Sequence, residues 1–394
     1  MIREALGLRI SVSRSSRVKH YKLTCTADPG VRCDVPANVY QSTFDPNTQW
    51  SEEFAQGAEI KQYWQRLAKK HDVYKYTKFN TKVVKAEWNE TGAQWVVTKQ
   101  NVVSSEETTE SFDFIITAIG LFNSWRFPDY PGLEDFQGHL RHSSNWDPNF
   151  DPTDKRVAVI GNGASGIQVV PEIQKVAKHL DHYARSRTWI AGSLGGRDRL
   201  AEPMYFSKEQ LKDFEDPEKY LAYRKELEGT YWRRFGDLIK DSESNISARD
   251  NFRELMRARL VDKPELLDEL VPDFSPHCRR LTPGPGYLEA LTKDNVSFIQ
   301  TPIKRITKTG IETEDGVHRE VDAIITSTGA QVDFTPSFSI IANGVDLKEA
   351  WRPGGHFGFP YSYLGVATPG FPNLAFVHGV FACLSNNLLR LECD

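Results

Sequence analysis

The chain has 394 residues, 39% of them hydrophobic and 26% charged, the mixture of a soluble globular protein long enough for two or three domains. A formal net charge of −4 gives no global attraction to nucleic acid or to an anionic membrane, so any basic site must be local. No apolar run approaches the roughly 18 residues of a membrane-spanning helix. The five cysteines are scattered without metal-ligand spacing, which excludes a zinc motif and favours a reducing, cytoplasmic compartment.

Residues 1–28 read as a disordered basic extension, whose first 22 residues carry Arg3, Arg9, Arg14, Arg17, Lys19 and Lys22 against Glu4 alone; an organellar transit peptide is the alternative reading. DPGVRCDVPANVYQ follows, bounded by turn residues. EEFAQGAEIKQYWQRLAKKHDV then spaces Ile60, Tyr63, Trp64 and Leu67 as one face of an amphipathic helix. NTKVVKAEWNE, GAQWVVTKQ and SFDFIITAIG are rich in β-branched and aromatic residues and predict three strands, the third of them buried. From Pro128 to Pro152 the Pro, Gly, Asp and Asn content predicts a connection rather than an element.

RVAVIGNG, ASGIQVVPEIQKVAKHL and LDHYARS next form a strand, a helix and a strand of the buried parallel type. Ser207 to Leu270 is helical and highly charged, broken at Pro217, and reads as a mostly surface-facing insert. A Pro/Gly-rich TPGPGY precedes LEALTKDNVSFI, and IKRITKTGI and VDAIITSTG then restore strand character. One echo bears on architecture. FDFIITAIG and VDAIITSTG share an acid, an apolar strand and a small-residue turn ending in Gly, and they bracket the strand–helix–strand unit. That arrangement predicts one nucleotide domain inserted into another and joined to it by two crossing strands.

GNGASG, residues 161–166, fits GxGxxG directly after a strand and at the start of a helix. Gly161 permits the tight turn, Gly163 lets backbone amides approach a pyrophosphate, and Gly166 lets the helix pack closely; Asn162, Ala164, Ser165 and Ile167 complete the loop. The plain alternative is a glycine-rich turn without ligand. An NAD site would place an acid about 20 residues on. Here the strand end reads YARSRT, and Arg187 with Thr188 suits a ribose 2′-phosphate, because guanidinium meets phosphate through forked, charge-assisted hydrogen bonds. NADP(H) is the expected cofactor.

Phe136, Gly138, His142, Trp146 and Asp147 fulfil FxGxxxHxxxW(P/D). This resembles the fingerprint of type I Baeyer–Villiger monooxygenases, and the resemblance extends from about Pro29 to Phe376 through PGVRCDVPANVYQ, GNGASGIQ, CRRLTPGPGYLEAL and PGFPNL. The CRRLTPGPGYLEAL wording is most similar to fungal members tied to secondary metabolism. The resemblance implies FAD and NADP(H) as cofactors, O2 as co-substrate and a small-molecule ketone as substrate. It places Arg32, Cys33, Asp34, Tyr40 and Val83 among the cofactor contacts, Arg279 at the 2′-phosphate, and Arg280 beside the oxygenated flavin with Asp34 as its partner. His142 lies on a connection and is expected to hold a hinge rather than to transfer a proton. Read without the resemblance, Arg279 and Arg280 are a solvated basic pair, and Cys33 is a small buried residue.

The implied fold is α/β, with two dinucleotide-binding (Rossmann-like) domains. Residues 121–328 form the NADP-binding domain, with the helical insert at about 200–275, set within an FAD domain made of 29–120 and 329–394. That FAD domain is expected to be incomplete: the family's first GxGxxG unit has no counterpart in this sequence, where Gly7 is the only glycine before Pro29. A non-catalytic NADP-binding protein and a nitrogen- or sulfur-oxygenating flavin monooxygenase are the alternative functions.

Overall fold

A computed structural model of the chain describes residues 10–11, 29–120, 124–190, 203–233, 235–276, 281–282, 284–330 and 337–377. The chain divides into two compact units: Met1–Leu23, Trp64–Ser124 and Gln331–Leu388 in one, Thr24–Tyr63, Trp125–Ala330 and Leu389–Asp394 in the other. Mixed α/β structure was the expectation, and both units together realise it.

The second unit is built on a five-stranded, all-parallel sheet. Its strands are β1 (His139–His142), β2 (Arg156–Ile160), β3 (His179–Tyr183), β4 (Val296–Ile299) and β5 (Ala323–Thr326), in the order β4–β3–β2–β5–β1. β2 from Val157 to Ile160 and β5 from Ala323 to Ile325 are continuous apolar runs, buried on both faces, as helices and loops cover both sides of the sheet. Alternation then divides them: Val157, Val159, Ala323 and Ile325 enter one core, and Ala158, Ile160 and Ile324 the other. The helix Ala164–Gln174 returns from β2 to β3, shorter than the sequence pattern predicted, because Lys178 and His179 turn to bond Lys155 and start β3.

Two expectations need correction here. Pro128 to Pro152 is not a bare connection: it contains β1, which pairs in parallel with β5 in the register Ala323↔His139 to Thr326↔His142. The helical insert is present as Lys208–Asp213, Pro217–Arg233, Glu243–Arg259 and Leu266–Leu270, yet it is not mainly a surface layer. Phe252, Met256, Leu260, Leu266, Leu267 and Leu270 are buried in the same core as β2 and β5. Charge density masked this, since a helix needs only one apolar stripe to dock.

In the first unit a mixed sheet runs Val345–Asp346, Ser339–Ala342, Thr81–Asn89, Gln94–Asn101, Glu107–Phe112, and a separate parallel pair joins Ile115–Thr117 to Leu374–Phe376. Its core centres on Trp95, fully buried, whose indole N–H donates to the Pro372 carbonyl at 2.8 Å. SFDFIITAIG is therefore two strands, not one buried strand. Phe114 and Ile116 are 52% and 56% exposed, because only alternate side chains of Ile115–Thr117 face inward. The amphipathic helix is Gly57–Lys70, which begins in the second unit and passes into the first at Trp64, with Tyr63 buried and Trp64 outward; the two glutamates predicted to open it, Glu52 and Glu53, sit instead in buried coil of the second unit.

Candidate nucleotide-binding site

In the parallel sheet β2 and β5 are neighbours that end side by side, Ile160 opposite Thr326, and the carboxyl ends of such strands are where parallel α/β sheets offer a ligand crevice. GNGASG lies there. Gly161 has φ +106°, and a Cβ on it would fall 2.4 Å from the Ser327 carbonyl oxygen after β5. A Cβ on Gly166 would fall 1.9 Å from the Gly161 oxygen, so the helix could not seat against the turn. Gly163 differs: a Cβ there would meet nothing within 4 Å. Its lack of a side chain serves no internal packing and leaves the approach to the helix N-terminus open, the condition a pyrophosphate requires. Asn162 closes the back of the loop, donating from Nδ2 to the Ser186 carbonyl at 2.5 Å.

The fingerprint residues are strung along β1: Phe136 and Gly138 stand at its amino end beside Asp322, which precedes β5, and His142 stands at its carboxyl end, level with the glycine loop. Phe136 is buried with its ring over Gly138, where a Cβ would lie 2.5 Å both from that ring and from the Asp322 carbonyl oxygen. This is the physical content of the F-x-G spacing. His142 ends β1, fully buried, and stacks on Trp125 with ring centroids 5.0 Å apart. Its Nδ1 accepts the Ser144 N–H at 3.1 Å, and burial pushes its pKa below the usual histidine value, against an opposing contribution from the Gly329 backbone. The ring is therefore neutral, with the proton on Nε2. Trp125 itself bridges to Ala330, so the two segments by which the chain enters and leaves this unit are paired beside His142. Trp146 packs edge-on to Phe150 at 6.0 Å, and Phe150 stacks on His139. Asp147 faces Arg141 at 3.4 Å and accepts the Asn149 N–H.

The RCD stretch packs against the glycine-loop helix. Gln168 Nε2 donates to the Arg32 carbonyl at 3.1 Å, and Gly30 lies so close to the Gln168 carbonyl that a Cβ would fall 2.5 Å from its oxygen. The Arg32 guanidinium meets Glu52 at 2.5 Å, with both side chains largely out of water. Sequence reasoning missed Glu52, assigning it to the start of an amphipathic helix. Cys33 is buried, and burial pushes its thiol up to about 12, so it is an inert packing residue. Asp34 is half-buried and Tyr40 is 53% exposed. Arg279 and Arg280 lie outside the described residues, as does any pairing of Arg280 with Asp34. Val83 lies in the other unit, at a bulge in the Thr81–Asn89 strand, packed against the Trp95 core.

Beyond β3, Thr188 N–H bonds the Leu270 carbonyl at 3.0 Å and Arg187 Nη1 approaches Asp273 at 3.7 Å. Arg187 forms one wall of a cavity of about 440 Å3 that also receives Arg249 and Arg253 from the insert helix Glu243–Arg259. Sequence reasoning did not single out either arginine. Among the described residues no cluster of His, Cys, Asp and Glu could hold a metal ion, and no helix is long and apolar enough to cross a membrane.

Residues 42–204 match the flavin-binding monooxygenase-like family model. A monooxygenase of Mycobacterium bovis is 30% identical over 363 residues, 91% of this chain and 68% of that protein. The chain belongs to the flavin-binding monooxygenase family. Within that family it is 37% identical to the FAD-binding monooxygenase tazF of Aspergillus terreus, across 88% of this chain and 61% of the relative. It is 31% identical to a Baeyer–Villiger monooxygenase of Pseudomonas aeruginosa, across 91% of this chain and 65% of the relative. The chain thus spans under two thirds of the length of these two flavin-binding monooxygenases. Among solved structures, OTEMO in complex with FAD and NADP superposes with a TM-score of 0.77 at 27% identity, covering 97% of this chain and 79% of that one.

Proposed function

We propose that the chain acts in an FAD- and NADPH-dependent monooxygenase that inserts one oxygen atom of O2 into a small-molecule ketone, giving an ester or lactone in fungal secondary metabolism. The observation that carries this reading is the fit of the FxGxxxHxxxWD fingerprint along β1, which sets His142 at the carboxyl end of the sheet beside the glycine crevice, stacked on Trp125 where that residue pairs with Ala330. The names of the similar proteins, two of which specify FAD and one of which specifies Baeyer–Villiger oxidation, agree with it.

The crevice fits NADP(H). Gly161 and Gly166 form a turn that a side chain would break, and Gly163 leaves its mouth clear. In this reading residues 121–328 are the NADP-binding domain, residues 29–120 and 329–394 belong to the FAD side, and Arg187 with Thr188 holds the 2′-phosphate. Arg32, Cys33, Asp34 and the exposed ring of Tyr40 are the residues of this chain directed to the flavin, and the basic pair Arg279 and Arg280 supplies cations to the 2′-phosphate and the reacting oxygen. FAD, when bound and reduced by NADPH, supplies the activated oxygen. The residues' part is to bind and orient. Glu52 holds the Arg32 side chain in place, and Gln168 ties the Arg32 backbone to the nucleotide helix. Neutral, buried His142 makes a poor acid and a good packing element, which agrees with a hinge role.

The test is direct. The purified chain is titrated with FAD, and NADPH consumption is followed with a ketone and a sulfide side by side, with product identification. Bound flavin with ester formation is the expected result. Sulfoxide without ester would favour nitrogen or sulfur oxygenation. A chain that binds NADP+ yet never acquires flavin absorbance would be the non-catalytic NADP-binding protein instead.

A further inference from the structure

The insert helix Glu243–Arg259 presents two different faces. Asn245, Phe252 and Met256 are buried, while Ile246, Arg249, Asp250 and Arg253, at helical spacings of three and four, line the cavity that Arg187 walls on its other side. Trp189, Val271 and Pro272 supply its apolar lining, and Asp268 and Asp273 join Asp250 as its carboxylates. Three guanidinium groups therefore meet in one concavity.

Their charges are not equally balanced. Arg253 is hydrogen-bonded to Asp268 at 2.8 Å. Arg187 donates from Nη1 to the Val271 carbonyl at 3.4 Å, a neutral acceptor, and lies 3.7 Å from Asp273, whose side chain is 99% exposed and in full contact with water, where such a pair contributes little. Arg249 is half-buried and makes no hydrogen bond or ion pair among the described residues. A half-buried guanidinium with no acceptor keeps its full appetite for a multivalent anion.

We propose that this cavity is the seat of the NADPH ribose 2′-phosphate and that Arg249, donated by the helical insert, is a specificity-determining residue that grips the phosphate opposite Arg187. The Val271 carbonyl keeps the Arg187 guanidinium at the cavity wall, and Asp273 then acts as a weak competitor that yields it when the dianion enters. The inference rests on the reading of this unit as an NADP(H)-binding domain. It adds to that reading a ligand from the insert, and it gives the insert's buried attachment to the sheet core a reason: the helix must be held rigidly to keep Arg249 in place.

The probes are 2′,5′-ADP, which carries the phosphate, and 5′-AMP, which lacks it, titrated calorimetrically into the whole chain. Arg249→Gln should weaken 2′,5′-ADP binding about tenfold while leaving 5′-AMP unchanged. Arg249→Lys should recover part of the loss, and Asp273→Asn should tighten 2′,5′-ADP binding alone. Unfolding midpoints of the variants within the error of the parent exclude loss of the fold as the cause. If Arg249→Gln leaves the ratio of the two affinities unchanged while Arg187→Gln collapses it, the role of Arg249 is overturned and the NADP(H) reading stands. If the unmodified chain binds both probes equally, the NADP(H) reading fails and the inference fails with it.

Discussion

His142 lies flat against Trp125, their ring planes within 15° and their centroids 5.0 Å apart. One residue belongs to the fingerprint, and the other to the segment through which the chain enters the parallel-sheet unit. A ring that carries its proton away from Ser144, is held neutral by burial and is sealed from water has the properties of a spacer. His142→Ala should destabilise the unit by about 2–3 kcal/mol through the cavity it leaves, and in the flavin-loaded enzyme it should raise NADPH consumption without product. His142→Phe, which keeps the stack and cannot transfer a proton, should retain more coupling than His142→Ala. Equal loss of coupling in both variants would contradict the mechanical role.

The three glycines of GNGASG should separate on substitution. Gly166→Ala forces a Cβ to 1.9 Å from the Gly161 oxygen and should cost about 3 kcal/mol or more. Gly163→Ala meets open space at φ −74°, a conformation alanine adopts without strain, so its stability should stay within about 1 kcal/mol of the parent. Its NADP+ affinity should nevertheless fall at least about tenfold, because the methyl group stands where the pyrophosphate approaches. Chemical denaturation and NADP+ titration of the same preparations decide this.

The Arg32–Glu52 pair is largely out of water, at 12% and 1% side-chain exposure. Arg32→Met alone leaves a buried carboxylate without its cation and should destabilise by about 3–5 kcal/mol. Replacing both, Arg32→Met with Glu52→Leu, should recover most of that loss. A double variant as unstable as the single one would show that Arg32 contributes through contacts other than Glu52.

His182 is fully buried in β3, its Nε2 2.9 Å from the Tyr287 hydroxyl, and burial lowers its pKa to about 4. In the unfolded chain it titrates near 6.5. Between these two values the unfolded state carries the extra proton, so stability rises with pH: the contribution is complete above about 6.5 and is lost as pH falls toward 4. This one side chain should remove about 2 kcal/mol between pH 7 and pH 5. His182→Gln should flatten that part of the stability profile; an unchanged slope would place the pH dependence elsewhere.

Local chemistry made part of the site legible. GNGASG needs only neighbours in sequence to form a turn and a helix start, and YARSRT follows it at a set distance along one strand–helix–strand unit, so both could be read before any fold was known. The fingerprint was legible as a pattern but not as an object. Gly138 is required by the Asp322 carbonyl, about 180 residues away in the chain, and β1 becomes a strand only by pairing with β5. Glu52 read as part of an amphipathic helix because its partner, Arg32, is reached through a coil that no periodicity describes.

The sequence by itself determined the chemistry on offer: a phosphate-binding turn, a cationic strand end, and a spacing of Phe, Gly, His, Trp and Asp that can be satisfied in few ways. Only the tertiary structure decided which of these groups meet. Strand pairing, helix docking and the burial of charge depend on contacts between segments far apart in the chain, and there a single apolar stripe on a highly charged helix was enough to carry Arg249 to the cavity that Arg187 walls.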